Sequence, residues 1–469
     1  MIFDRFLASA DAMRVLDERA FVQAMLGFEA ALARAQSAVG AIPAGVGAVV
    51  ESACDAGRFD IDALMADGAL AGTLAIPLVR QLTAAVAARD ADAALFVHWG
   101  ATSQDVLDTA QVLVARRALA LIDRDLSALI AALLQLADRH GDAPMLGRTL
   151  MQPAQVISFG FKLAAWIAPL VRAQARLRAS GAGALQLQLG GAVGTRAALG
   201  EHGDAVAAHM ARQLQLRAPP AAWHTQRDEI VSLACDLGVL AGSLGKIAKD
   251  ISLMAQGEIG EVAEPSGGGR GGSSTMPHKR NPVAAMIALS AALRAPQHVA
   301  ALLAAMPQEH ERGLGNWQAE LAESGALLAC VHGAVAALAQ AAAGLQVDRE
   351  RMARNIDALQ GLVFAEALAM RVAREIGKAE AHHWVESLSR RAVAERAHLR
   401  DAAAQALPSH ERLRGRISPD ELADLFDARA PAAHASALAA PQIEALRQYA
   451  DEMRRDAPWQ PWLPQQHKG

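Results

Sequence analysis

Apolar positions recur through the middle of the chain at alternating steps of three and four residues. Val112, Ala115, Leu119, Ile122, Leu126, Leu129, Leu133 and Leu136 form one series. Ile230, Leu233, Leu237, Leu240, Leu244, Ile247, Ile251 and Met254 form a second. Such spacing puts every apolar side chain on one stripe of an α-helix. No proline falls between Pro220 and Pro265 to break the second helix. Weaker patterns predict further helices over 153–179 and 318–345. Helices this long exceed the usual globular length and need partners along their whole extent. The pattern therefore predicts an all-α fold built on a bundle of long, near-parallel helices. Shorter helical patterns come first, at 19–38 and 75–88, and short helices with breaks near Pro408, Pro419 and Pro431 come last. The expected organisation is an N-terminal helical domain (1–100), a central long-helix bundle (101–345) and a C-terminal helical domain (346–469). The tail PWQPWLPQQHKG is expected to be irregular, and no internal repeat is visible.

Composition sharpens this picture. Of 469 residues, 52% are hydrophobic but only 4% aromatic, so alanine and leucine supply the apolar surface. Both are strong helix formers. The length exceeds what one compact core fills. A net charge of −4 gives no electrostatic case for binding nucleic acid. Cys54, Cys235 and Cys330 lie far apart with no CxxC spacing, as expected of reduced thiols in a cytoplasmic protein. The opening MIFDRFLASADAMR carries charges in its first turns, so no signal peptide is expected. Elsewhere charges are expected to break each apolar run before the roughly 18 residues of a membrane span. Arg116, Arg117 and Asp123 are expected on a solvated helix face.

The chemistry concentrates in residues 265–282, PSGGGRGGSSTMPHKRNP. Five glycines between 267 and 272 cannot hold a helix. Ser273, Ser274, His278, Lys279, Arg280 and Asn281 follow in the same segment. A mobile loop bearing hydroxyls and cations suits a lid over an anion. The phosphate-loop pattern GxxxxGK[ST] is not matched, and no strand is expected ahead of the segment.

GSSTMPHKRNP (272–282) resembles the signature of the fumarase/aspartase superfamily, which has the form GSSxMPxKxNP. HWGATSQDVLDTA (98–110) and GRTLMQPA (147–154) resemble two further segments of that superfamily, in the same order and spacing. The resemblance implies a three-domain fold with a central five-helix bundle. It also implies a homotetramer with a twenty-helix core, active sites shared between three subunits, and neither metal nor organic cofactor. It implies roles residue by residue. Ser273 exchanges the proton on the carbon beside a carboxylate. Lys279 and Asn281 steady the doubly charged aci-carboxylate. Thr102 and Ser103 bind carboxylates. His98 is a further catalytic candidate, as acid, orienter or carboxylate donor, and Thr149, Gln152, Ser274 and Met276 are further substrate-binding positions. Arg148, Arg270 and Arg312 are candidate countercharges, because arginine forks suit carboxylates. His224 is divided between a site residue and a polar group at a helix start, and His310 and Glu311 between catalysis and a structural ion pair.

The chain departs from the superfamily's lyases at one point. Those lyases carry a His after the Thr of GRTH, and it pairs with a Glu five residues beyond the signature Asn. Here the two positions are Leu150 and Met286. Loss of one partner would strand a buried charge, whereas replacing both with apolar residues points to a redesigned site. Elimination needs a base for the carbon and an acid for the leaving group. Ring closure by the substrate's own carboxylate needs only one proton donor. WHTQRDEI (223–230) and QEHERGLGNWQAE (308–320) also resemble the superfamily's carboxymuconate cycloisomerase branch. The expected reaction is lactonisation of 3-carboxy-cis,cis-muconate, a small polycarboxylate. The alternatives are an adenylosuccinate-lyase-like elimination yielding fumarate and a non-catalytic structural homologue.

Overall fold

The structure, a computed structural model, describes residues 2–267, 269, 271–272, 275–276 and 278–456. Ser273, Ser274, Arg270 and the proline-rich tail lie outside the described residues. The fold is all-α. We number the helices longer than about twenty residues: α1 Glu18–Val39, α2 Ser103–His140, α3 Phe159–Ala184, α4 Asp228–Met254, α5 Val283–Ala305, α6 Asn316–Ala343 and α7 Arg429–Arg455. Among the described residues, four short strands complete the frame: β1 Pro144–Thr149, β2 Gln152–Ser158, β3 Val262–Ala263, which runs just ahead of the signature segment where no strand was expected, and β4 Gln346–Val347.

Helices α2 to α6 pack side by side as the central bundle. Both apolar stripes read from the sequence face its core. Leu119, Leu126, Leu133, Leu237, Leu244 and Ile251 are all buried there. Helix α1 leans on α2 and extends the same core toward the N-terminus. Helices between 365 and 425 enclose a separate apolar cluster around Leu368, Val372, Leu388 and Leu399. Helix α7 then returns to lie along α3.

Three expectations need correction. The pattern over 153–179 merges a strand with a helix. Residues 152–158 form β2, paired antiparallel with β1, and α3 starts only after Ser158, whose hydroxyl caps it by accepting from Phe161 N at 3.2 Å. The turn joining the strands is Leu150–Met151, with both φ angles positive (50° and 67°). A two-residue hairpin of this kind normally carries Asn-Gly. Helices α5 and α7 run through Pro296, Pro431 and Pro441. Pro431 sits in the first turn of α7, where its N–H would have no intrahelical partner. Pro296 and Pro441 lie on exposed faces, and each removes one hydrogen bond from a helix held by packing. Last, α4, α5 and α6 each contain an 18-residue stretch long and apolar enough to cross a membrane. In this fold α4 and α6 spend that surface on the bundle core.

The solvated face expected at 116–123 is also absent. Arg116 is buried, and its Nη1 donates to the carbonyls of Leu214 and Gln215, both at 2.8 Å, closing the end of a neighbouring helix. Burial lowers its pKa to about 10, with Arg117 adding to the effect. Asp123 accepts from Arg178 at 2.7 and 2.9 Å.

Candidate active site

The starts of α2, α4 and α6 gather at one end of the bundle. Contacts between their first turns and the segments just before them place them there. Thr102 precedes α2, and its backbone N–H donates to Asp105 at 3.0 Å. Arg312, in the loop before α6, forks over this turn. Its Nη1 donates to Thr102 Oγ1 at 2.7 Å, Nη2 to Ser103 Oγ at 3.1 Å and Nε to Gln104 Oε1 at 3.2 Å. The sequence-predicted pair Thr102–Ser103 and the countercharge Arg312 thus meet in one chain. The arrangement presents two hydroxyls and a guanidinium, a set of donors matched to a carboxylate.

His98 stands one turn earlier, with φ at 60°. Its Nδ1 lies 2.7 Å from Oε1 of Glu29 in α1. Burial alone disfavours the imidazolium, but the charge and hydrogen bond of Glu29 outweigh it and hold His98 above the usual histidine value.

Beneath this layer lies a buried polar network. The Asp105 carboxylate accepts from His224 Nε2 at 2.7 Å and from the amides of Gly190 and Gly191 at 2.9 Å each. His224 is therefore a supporting group bonded to the first turn of α2. Arg227, just before α4, bonds both oxygens of Asp108 (2.9 and 3.0 Å) and both oxygens of Glu320, the Nε bond to Glu320 measuring 2.8 Å. Trp317 Nε1 donates to Asp108 at 2.9 Å. The two carboxylates overcome the burial of Arg227 and raise its pKa. This network ties three helix starts together beneath the donors.

The described candidates of the hairpin and of the signature segment lie at the opposite end. Arg148 in β1 makes two bonds to buried Glu261, at 2.6 and 3.0 Å, and Asn355 donates to the same carboxylate at 3.0 Å. Arg148 thus ties the hairpin to the base of the signature segment. Thr149 and Gln152 close the hairpin and are exposed. Leu150, at the tip, is 97% exposed. The signature segment bridges the end of α4 and the start of α5 over a cavity of about 740 Å³, lined among others by Met276, His278, Lys279 and Asn281. Asn281 N donates to Gly271 O at 2.9 Å and Lys279 N to Met276 O at 3.1 Å, folding the segment back on itself. Glu264 clamps its base by accepting from the amides of Ala284 and Ala285, both at 2.9 Å. This anchors the start of α5 with a carboxylate at its positive end.

The 27 residues of α4 separate the two ends by about 40 Å. Within one chain, His98, Thr102, Ser103 and Arg312 therefore cannot meet Thr149, Gln152, Met276, Lys279 and Asn281.

Sequence reasoning missed Glu29, Gln104, Asp105 and Glu264. Asp105 had a signal, since Thr102 followed three residues later by an acid matches a helix-start pattern. Glu29 had none, because its partner lies 69 residues away.

The profile of a family described as "Lyase" matches residues 4–296, more than half of the chain. The chain belongs to the fumarase/aspartase superfamily of lyases. A second profile of that superfamily, "Adenylosuccinate lyase C-terminus", matches residues 361–440. The superfamily relatives include a 3-carboxy-cis,cis-muconate cycloisomerase from Bradyrhizobium diazoefficiens, 49% identical over 90% of this chain and 92% of that one. A nitrosuccinate lyase from Streptomyces davaonensis is 39% identical over 88% of each. The crystal structure of the 3-carboxy-cis,cis-muconate lactonizing enzyme from Pseudomonas putida superposes with a TM-score of 0.89 at 43% identity, covering 96% of this chain and 99% of that one.

Proposed function

We propose that this superfamily member is a cytoplasmic cycloisomerase that closes 3-carboxy-cis,cis-muconate to 4-carboxymuconolactone, in the protocatechuate branch of β-ketoadipate degradation. One observation carries the reading. Where the superfamily's lyases place a proton-handling His and its Glu, this chain has Leu150 and Met286, two side chains that cannot titrate. The nucleophile must then arrive already ionised. A substrate carboxylate does, because its pKa of about 4 leaves it charged at neutral pH. The named relatives at 43–49% identity support the same choice.

The steps follow from the groups available. A carboxylate oxygen of the trianion attacks the conjugated double bond, forming one C–O bond. The displaced π pair moves toward the neighbouring carboxylate and builds the aci-carboxylate. Lys279 and Asn281 steady that charge, and fixed donors of this kind supply most of the rate. Ser273 delivers one proton to the carbon and is re-protonated by water, so the dianionic lactone forms with net uptake of one proton. Thr102, Ser103 and Arg312 hold a second carboxylate.

The reading requires a homotetramer whose active sites each draw on three subunits. The 40 Å gap within a chain supports it. So does α5, because only 22% of its most apolar stretch is buried in the single chain and Leu293 is 75% exposed. Copies of this chain cover that face, which also answers why so apolar a helix need not enter lipid.

The test is an absorbance assay with a pH-stat. The purified protein is expected to bleach the diene of 3-carboxy-cis,cis-muconate with uptake of one proton per turnover and to leave adenylosuccinate intact. Cleavage of adenylosuccinate without muconate turnover rejects the proposal in favour of the elimination reading.

A further inference from the structure

Glu29 lies in α1, outside the segments that carry the resemblance, yet it reaches His98. Its side chain is 1% exposed. Oε1 meets His98 Nδ1 at 2.7 Å, and Oε2 is buried without a hydrogen-bond partner among the described residues. A buried carboxylate left half unbonded is costly, so its charge serves something other than its own satisfaction. Helix α1 also fixes the turn that carries His98. Gln36, fully buried, donates to Trp99 O at 2.7 Å. Gly100 follows at φ 77°, where a Cβ would strike Leu199 at 2.5 Å. His98 itself takes a left-handed φ of 60°, an unfavourable conformation for a residue with a side chain. The strain is held in place from α1, and it leaves the imidazole 19% exposed with Nε2 engaged by no bond among the described residues.

We infer that Glu29 is a positioning residue that commits Nδ1 of His98 and keeps the ring a donor. Nε2–H is then offered to a carboxylate of the substrate, and His98 works as a carboxylate clamp, not as the base. The inference rests on the proposed function only in requiring a polycarboxylate ligand.

The charged surroundings agree with this assignment. Two carboxylates face the ring, Glu29 from α1 and Asp105 from the first turn of α2, and their fields oppose the burial that disfavours the imidazolium. Behind Glu29 stand the neutral thiol of Cys54, pushed up by burial, and the pair Arg34–Glu51 at 2.6 Å, whose charges offset each other. His224 is already bonded to Asp105 through Nε2 and does not compete for the role.

The test compares the parent, Glu29→Gln and His98→Asn by kcat and KM for 3-carboxy-cis,cis-muconate across pH 6 to 9. Gln keeps the shape and an acceptor for Nδ1–H but removes the charge. In the parent, kcat/KM falls as pH rises through the elevated pKa of His98. In Glu29→Gln that fall moves to lower pH, so near pH 8 its KM is about tenfold above the parent while kcat stays within about twofold, the signature of a lost binding contact. His98→Asn has the higher KM at every pH and lacks the fall. Superimposed profiles for Glu29→Gln and the parent overturn the inference, as does retention of the fall in His98→Asn. Sedimentation of all three variants as the same species excludes an assembly defect. Should the parent turn over no muconate, the lactonisation reading fails separately. Calorimetric binding of propane-1,2,3-tricarboxylate over the same pH range then decides the inference. Weakened, pH-shifted affinity in Glu29→Gln supports it, and equal affinity, or none in either protein, overturns it.

Discussion

Arg227 offers the sharpest test of how the donor end is held. Its guanidinium is fully buried between Asp108 and Glu320 and bonds both carboxylates. It also lies over Trp223, 4.6 Å from the ring centroid. The Arg227→Met change keeps most of the side-chain volume and removes the charge. Two carboxylates are then left in a dry site with Trp317 and Gln188 as the remaining donors to Asp108. Breaking a buried ion pair from one side costs about 3–5 kcal/mol. Here two acids lose their shared cation, so the upper part of that range is expected. The assay is denaturant unfolding followed by circular dichroism at one fixed protein concentration, since assembly makes apparent stability concentration-dependent. The midpoint should fall with little change in slope. The penalty belongs to the stranded charges, so adding Asp108→Asn and Glu320→Gln to Arg227→Met should recover at least about half of it. A single variant within about 1 kcal/mol of the parent refutes the reasoning, as does a triple variant no more stable than the single.

Four further outcomes are expected. Ser273→Ala should keep the assembly and its melting temperature while activity drops by at least about a hundredfold, the scale of a lost general acid; unchanged turnover would assign the proton to another group. Arg148→Met removes the charged partner of Glu261 at the base of the signature segment and leaves it only the bond from Asn355 among the described side chains, so tryptic cleavage at Arg270, Lys279 or Arg280 should quicken about tenfold, the equivalent of roughly 1.4 kcal/mol of local stability. Asp125 is held down at about 2, because hydrogen bonds from His332 and Arg124 outweigh its burial. A carboxyl lowered from 3.8 stabilises the fold above that pH and loses its contribution as pH falls toward 2, so Asp125→Asn should cost about 2 kcal/mol near neutrality, with the gap to the parent closing below pH 4 in acid-unfolding curves. Leu293→Glu, on the uncovered face of α5, should yield smaller species by light scattering and lose activity with them; an intact, active assembly would place the subunit contact elsewhere.

The sequence by itself determined the helical class, the long bundle stripes and the polar content of the signature segment. These rest on local rules: one face per helix for burial, and glycine where the backbone must turn. It could not disclose the hairpin, because Leu150–Met151 adopts the twist of a turn without the residues that usually mark it. Nor could it disclose α5 and α7, where prolines break the local rule and packing overrides it. The pairing of His98 with Glu29, of Arg148 with Glu261 and of Arg227 with two acids was decided by tertiary structure alone. Each joins residues far apart in the chain, and a charge finds its partner only once folding has excluded water from the space between them. The sorting of the site residues to opposite ends of a 40 Å helix is likewise a property of the fold, because motif order along a chain carries no information about which end of a bundle each motif occupies.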